Sequence, residues 1–482
     1  MSEILTDLSW LAPGQNFPPA CEAERIAEYA INRSLRENEF SQIWKDYQRL
    51  LREDSKTEFK IILGYFKLST KKTLDTLLGK QPIISQSQPT DANLLVIKDL
   101  IEYTDLYQTN YEVACDVDSL GDGFFKIYRD QDGKAVIQSN DPSNVFVVVE
   151  AGNLRKVRYY VIANKFDKLI EQETNNFLKV EIHGRNDGKK HVIEHRVYGL
   201  NIGIDGRQQI GDLQDLSQFV DEIPTLKEVP SGIEDNPVDD FLVIHVPGPR
   251  TSCDVYGESS YGEDLKSLWR AIVRRYTGID SVLTKHEDPN MIMPMGYTQK
   301  DSVTQKQTFV GGGRVFQYRH DPGMTPPLFQ YLTWDGNLAP SEASIERLQA
   351  DFWNAAEVPE AILAGKVDGG IASGVAYRLM MTPLLTKANR LEMSLRPRVQ
   401  KATRLALALQ GTPIEDVTVK FQDNIPKIPG EEAQRLALLG QMPQFAGDEG
   451  GKWILEQLEI DPVRAETIIK DPSRNGGLGA MV

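Results

Sequence analysis

From Ser373 to Gln410 the apolar residues keep a helical spacing without interruption, and a rod of that length governs how the rest of the chain can be arranged. At 1.5 Å per residue it would reach about 57 Å if unbroken, well beyond the ~30 Å of a small domain. Pro383 lies well inside it and Pro397 further along. Each removes a backbone hydrogen bond and crowds the preceding turn, which predicts kinks. The charge is also one-sided: seven basic residues, Arg378, Lys387, Arg390, Arg396, Arg398, Lys401 and Arg404, stand against a single acid, Glu392. Such a set either pairs with acidic surfaces of the same or a neighbouring chain, or meets a polyanion.

The stretch that feeds this rod, "VPEAILAGKVDGGIASG", looks at first like a phosphate loop opening a helix. A phosphate loop needs G-x-x-x-x-G-K-[ST], so that amides wrap the phosphates and a hydroxyl holds magnesium. Here Val367 follows Gly365-Lys366, and Glu360 occupies the first-glycine position. The preceding residues read as helix rather than strand. The pattern therefore argues against a nucleotide site and points instead to a glycine-rich loop, 359–372, joined to a long helix.

A second rod precedes the loop in sequence. Leu265, Leu268, Trp269, Ile272, Val273, Tyr276, Ile279, Val282 and Leu283 repeat at three-and-four spacing, with Lys266, Arg270, Arg274 and Arg275 off that stripe. Ser260 and Glu263 have capping-box spacing, and Pro289 closes the segment. About fifty residues of strand and turn character follow. Gly311 to Gly313 lie among them, with no helix behind to make a phosphate cradle. A further helix starts at Pro340-Ser341, places Ile345, Leu348 and Phe352 on one face, and ends at Val358-Pro359.

Upstream, residues 20–80 read helical and residues 91–114 read as one more helix, broken before "DSLGDGFF". The period then changes to two. From Gly123 to Asn164, and again in "FLKVEIHG", "KHVIEHRVYGL" and "DDFLVIHVPG", alternation and turn residues predict a meander of antiparallel strands. Residues 203–236 read as a polar insertion. "IEDVTVKFQDNIP" is a strand, and short helices follow it. The fold class is α+β.

Composition restricts function. The 482 residues carry a formal net charge of −15, which argues against tight wrapping of nucleic acid. Cys21, Cys115 and Cys253 are odd in number and far apart, fitting neither a disulfide framework nor a zinc site. His191 and His195 would share a strand face, but nothing beside them makes a metal site. No apolar run approaches a membrane span, and the first residues lack the pattern of an export signal. No catalytic group, metal site or cofactor is expected.

The order of elements, with "YGESSYGEDLKSLWRAIVRR", "AAEVPEAILAGKVDGGIASGVAYRLMMTPLLTKANRLE" and "VTVKFQDNIPKIPGEEAQRLALL", resembles the portal proteins of tailed bacteriophages. The β-rich "GDGFFKIYRDQDG" and "DPSNVFVVVE" support it, and the likeness spans most of residues 20–470. It implies a wing over 1–257, a stem helix over 258–288, a clip over 289–338 and a second stem helix over 339–358. It further implies a tunnel loop over 359–372, a kinked helix over 373–411, a wing strand over 412–429 and a crown over 430–482. It implies a homo-oligomeric ring of about twelve subunits at one capsid vertex of the virion, assembled in the host cytoplasm. Its partners would be double-stranded DNA in transit, the packaging motor (terminase), the head–tail adaptor, and capsid and scaffold proteins, with no membrane. Lys366, Val367, Asp368, Gly369, Gly370 and Arg347 would face the DNA channel, with Arg378, Lys387 and Arg390 as a basic face behind it. Glycines leave the loop backbone free, so a ring of such loops could narrow or widen around DNA while the helices stay put. A ring charge of roughly −180 would keep DNA from adhering as it passes. The competing readings are another ring-shaped connector or scaffold without a DNA channel, and an enzyme using the loop as a lid.

Overall fold

The computed structural model describes residues 4–39, 63–86, 90–170, 173–186, 190–203, 206–227, 229–287, 290–294, 299–300, 307–308, 315–319, 330–332, 337–360, 363 and 374–422. Most of the 359–372 loop, much of 289–338 and all of 430–482 therefore lie outside the described residues.

The body starts with helices α1 (Ala20–Glu37) and α2 (Tyr65–Leu78), then strand β1 (Ile83–Gln86). Where the periodicity predicted one helix there are two, α3 (Asp91–Thr104) and α4 (Leu106–Leu120). Asp105 separates them in the left-handed conformation, φ 44°, which ends α3 as a glycine ordinarily would. Helix α4 also runs through "DSL", read above as a break, and stops at Gly121. Strands β2 (Asp122–Arg129) and β3 (Ala135–Asn140) form a hairpin whose turn is tied by the Asp130 carboxylate, which accepts from the Asp132 and Lys134 amides.

The expected single meander is two sheets. Strands β4 (Val145–Glu150), β5 (Asn153–Ile170), β6 (Glu173–Arg185), β7 (His191–Ile202) and β8 (Gln208–Leu213) run in sequence order, all antiparallel, with β9 (Ile233–Asp235) on β7. Strand β10 (Val243–Pro247) instead returns to pair with β2, giving a separate sheet β10-β2-β3. Alternation reports a strand but not its partner, which explains the difference. The 203–236 insertion is likewise less detached than its polarity suggested. It supplies β8 and β9, and Phe219, Ile223 and Leu226 are buried against Phe177 and Val197. On one face of the larger sheet, Trp10, Leu11 and Phe17 from the N-terminal segment cover Phe146, Val161 and Val180.

Helix α5 (Glu263–Glu287) follows, then β11 (Asn290–Pro294), β12 (Gln299–Lys300), β13 (Gln307–Thr308), β14 (Val315–Tyr318) and β15 (Gln330–Leu332). Strand β11 pairs parallel to β14 and antiparallel to β15. Helices α6 (Ala339–Ala355) and α7 (Gly374–Leu409) and strand β16 (Val417–Lys420), paired with β1, complete the described chain. The α7 helix continues through Pro383 and Pro397. Its later half carries Ala388, Leu391, Leu395, Val399, Ala402 and Ala406 into the core shared with α3, α4 and the β10-β2-β3 sheet. Its earlier half, through Met381 and Leu384, joins the cluster that holds α5 and α6.

Candidate functional site

The α5–α6 pair and its junction with α7 are where the sequence placed its functional residues. The two helices are antiparallel. Trp269, Ile272 and Val273 near the start of α5 share a cluster with Phe352 and Trp353 near the end of α6. Gln349 Nε2 donates to Tyr276 Oη at 3.0 Å and to Tyr65 Oη at 2.6 Å, which fixes the level of one helix against the other. The β11–β15 strands lie in the connection between α5 and α6. The predicted faces hold at Ile345 and Phe352 on α6 and over the first part of α5, where Leu265, Trp269, Ile272 and Val273 are buried, but further along the stripe Ile279 and Val282 are half-buried and Leu283 is exposed.

The capping box does not form. The Ser260 hydroxyl donates to Asp118 Oδ1 at 2.8 Å and accepts from no amide of α5, and the helix starts only at Glu263. The buried carboxylate at the end of α4 is satisfied by that hydroxyl's proton, which ties Ser260 to α4.

Asp118 is the centre of the junction. Thr70 donates to its Oδ2 at 2.5 Å, and Lys387 Nζ stands 3.6 Å from Oδ1. Lys387, expected on a basic face of the long helix, is only 6% exposed. Its ammonium also lies 3.4 Å from the Ala356 carbonyl and 3.5 Å from Ser69 Oγ. One residue further, Glu357 takes φ 60° and ends α6 in a position usually given to glycine, and the Val358 amide donates back to the Trp353 carbonyl. The Glu357 carboxylate pairs with Arg390, one turn along α7 from Lys387. Lys387 and Arg390 thus clasp the end of α6 onto α7, at the point where the 359–372 loop departs.

Other members of the basic set are paired as well. Lys401 meets Asp240 at 2.8 Å, Arg396 meets Glu392, and Arg404 approaches Glu415 at 3.9 Å. Of the two explanations for that set, ion pairing within the subunit is the one these residues take. Arg347 is exposed on α6. Lys366, Val367, Asp368, Gly369 and Gly370 lie outside the described residues, as does the side chain of Arg378.

A second buried carboxylate, Asp122, sits where α4 becomes β2. It accepts from Tyr29 Oη at 2.5 Å and from the Gly257 amide at 2.9 Å, and it meets His245 Nε2 at 2.6 Å. Burial pushes the His245 ring below its ordinary value although Asp122 pulls the other way. The ring stacks on Phe124 with centroids 4.7 Å apart, so the pair fastens β10 to β2 and to the 257 turn. Sequence reading passed over both carboxylates. The available signal was "DSLGD", an acid on each side of a helix-to-strand glycine.

Around that glycine three backbone segments touch. A Cβ at Gly257 would collide with the Gly121 carbonyl and with Gly248 N, and Gly121 itself takes φ 98°. Elsewhere, a groove of about 750 Å³ runs between α5 and the start of α6, bordered by Arg270, Arg274, Gly278, Val282, Leu338 and Ser341. Among the described residues, no group of three or more His, Cys, Asp or Glu side chains is placed to hold a metal ion. No described helix is long and apolar enough to cross a membrane.

No curated protein matches the chain. The family described as "Phage portal protein, SPP1 Gp6-like" matches residues 19–446. That match takes in the body, both sheets, the α5–α6 pair and α7, and with it the chain belongs to the phage portal protein family.

Proposed function

We propose that the chain is the ring subunit through which phage DNA enters the head during packaging and leaves it during ejection. Family membership carries the coarser role, a structural connector between head and tail at the capsid vertex. The observation that best supports the conduit is the clasped junction. An antiparallel helix pair is anchored at one end through Ala356 and Glu357, while the glycine-rich loop leaves from that anchored end. In this reading α5 and α6 are the stem and the β11–β15 region is the clip that receives the packaging motor and later the head–tail adaptor. The 359–372 loop is the tunnel loop, with Lys366, Val367, Asp368, Gly369 and Gly370 toward DNA and Arg347 below them. The ring is a homo-oligomer of about twelve copies. It is assembled in the host cytoplasm with capsid and scaffold proteins, and ATP is hydrolysed by the separate motor.

Negative-stain electron microscopy with native mass measurement on the full-length chain tests the ring. Closed rings with a central hole support the conduit, whereas a compact monomer or dimer that persists with scaffold present overturns it. In packaging extracts, Lys366→Ala should change efficiency without affecting ring assembly, and Val367→Asp should impede DNA passage through intact rings. Intrinsic ATPase activity of the purified chain would contradict a passive conduit.

A further inference from the structure

We propose that the buried polar cluster around Glu181 is a proton-operated latch between the two sheets of the body. Proton uptake at His195 draws the Glu181 carboxylate off Lys126, on the facing sheet, and onto the histidine of its own sheet. The device stands independently of the ring reading.

The two sheets meet over an apolar cluster in which Phe124 of β2 and Val243 of β10 pack with Val145, Val147 and Ile162. Beside it, one carboxylate is set among four basic side chains. Glu181 on β6 is buried, and its Oε2 accepts from Lys126 Nζ of β2 at 2.6 Å. Its Oε1 meets His183 Nε2 at 2.7 Å. His195 on β7 is its direct cross-strand partner, so the two side chains leave the sheet on one face. Lys179, two residues before Glu181, shares that face and donates to the Glu222 carbonyl at 3.1 Å. Both histidines are buried. Among the described residues neither ring nitrogen of His195 has a hydrogen-bond partner, and His183 Nδ1 has none. Buried polar atoms ordinarily have one. A proton on His195 supplies what its ring lacks, a charged donor beside a carboxylate.

Charge and exposure decide which partner the carboxylate keeps. Burial holds His195 below the ordinary histidine value; Glu181 opposes this, while Lys126, Lys179 and His183 add to it. Burial alone would raise Glu181, yet Lys126 and His183 hold it well below the ordinary carboxylate value, so it stays charged on mild acidification. A protonated His195 therefore adds a cation that competes for one buried carboxylate. Lys126 is the partner able to leave, because its side chain is 24% exposed and its ammonium can reach water, whereas Glu181 at 8% cannot follow. The Lys126 tie is present above the titration of His195 and is lost as the pH falls through it. Neighbouring elements bring their own pairs: Glu222 meets Lys168 at 2.8 Å, and beyond His191 on the same strand face Lys401 meets Asp240. Glu234 of β9 stands across from Ile193. Slack at Lys126 reaches the long helix, since Ser394 of α7 donates to the Pro247 carbonyl of β10 and Lys401 holds Asp240.

Amide hydrogen exchange read by mass spectrometry on the full-length chain, corrected for the intrinsic pH dependence of exchange, tests the latch. Between about pH 7.5 and about pH 5.0 the amides of β2 should lose about tenfold in protection, while those of α5 around Trp269 keep theirs. Exchange at the histidine C2 positions should show His195 titrating inside that window. His195→Gln keeps a polar side chain of similar size but takes up no proton. With His191 and His245 still in place, it should hold full β2 protection at both pH values. Lys126→Met should show the reduced protection at both, and should raise the His195 midpoint by removing a neighbouring positive charge. Circular dichroism at neutral pH establishes that each variant is folded, and if His195→Gln is not, the other two chains still decide. Equal β2 protection across the window in the unmodified chain would overturn the latch, as would a His195 that does not titrate. An undiminished acid response in folded His195→Gln, or unaltered β2 protection at neutral pH in Lys126→Met, would overturn it as well.

Discussion

Replacing Lys387 with methionine keeps most of the side-chain volume and removes only the ammonium, so it isolates the charge at the α6–α7 clasp. The Lys387 and Asp118 side chains are 7% and 2% exposed and 3.6 Å apart. Breaking a pair that deeply buried costs about 3–5 kcal/mol, against roughly 0–1 kcal/mol for an exposed pair. Lys387→Met should fall near the lower end, because Asp118 keeps the hydroxyls of Thr70 and Ser260. Asp118→Asn should fall higher, since the ammonium is left with one carbonyl and one hydroxyl at 3.4 and 3.5 Å. The double variant leaves no orphaned charge, so its cost should be smaller than the sum by about 2–3 kcal/mol. Arg390→Met, one turn away and 44% exposed, should cost less than about 1 kcal/mol. The assay is urea unfolding at one fixed protein concentration, since assembly would otherwise shift the midpoint. Trp269 and Trp353 report on it directly, as both lie in the cluster that includes Ala356. If Lys387→Met is nearly neutral for stability yet lowers packaging, the ammonium faces DNA and the buried clasp is refuted. Strict additivity of the two single variants would refute the pairing itself.

Two further outcomes follow from the body. Burial lowers the titration of His191, His195 and His245 below the ordinary histidine value of 6.5. Between the folded and unfolded values the unfolded chain binds more protons, so the stability these neutral rings contribute is present above pH 6.5 and lost as the pH falls below it. Unfolding midpoints should therefore decline on mild acidification, and a flat profile would show that the rings accept protons without cost. Gly257→Ala forces a methyl group into the backbone crossing with Gly121 and Gly248, and should cost about 1–3 kcal/mol or more in the same unfolding assay. A neutral result would mean that the 257 turn can move away from the end of α4.

What the sequence determined by itself was the set of rods and strands. Periodicity is a local property, and Leu265, Trp269, Ile272, Ile345 and Phe352 announced buried faces wherever those faces would be buried. The long run from Ser373 marked α7 almost to the residue, because its helical spacing outweighs two prolines. Partnership was decided only in three dimensions. Lys387 and Arg390 are equivalent in sequence, three residues apart in one basic run. One turn of helix carries the first into the core beside Asp118 and leaves the second near the surface beside Glu357. Ser260 has the spacing of a cap, yet its hydroxyl is tied to a carboxylate 142 residues away. Strand β10 follows β7 to β9 in the chain but joins β2, more than a hundred residues earlier. In each case local pattern set what a residue can do, and the free energy of burying or pairing a polar group chose among partners brought near only by the fold.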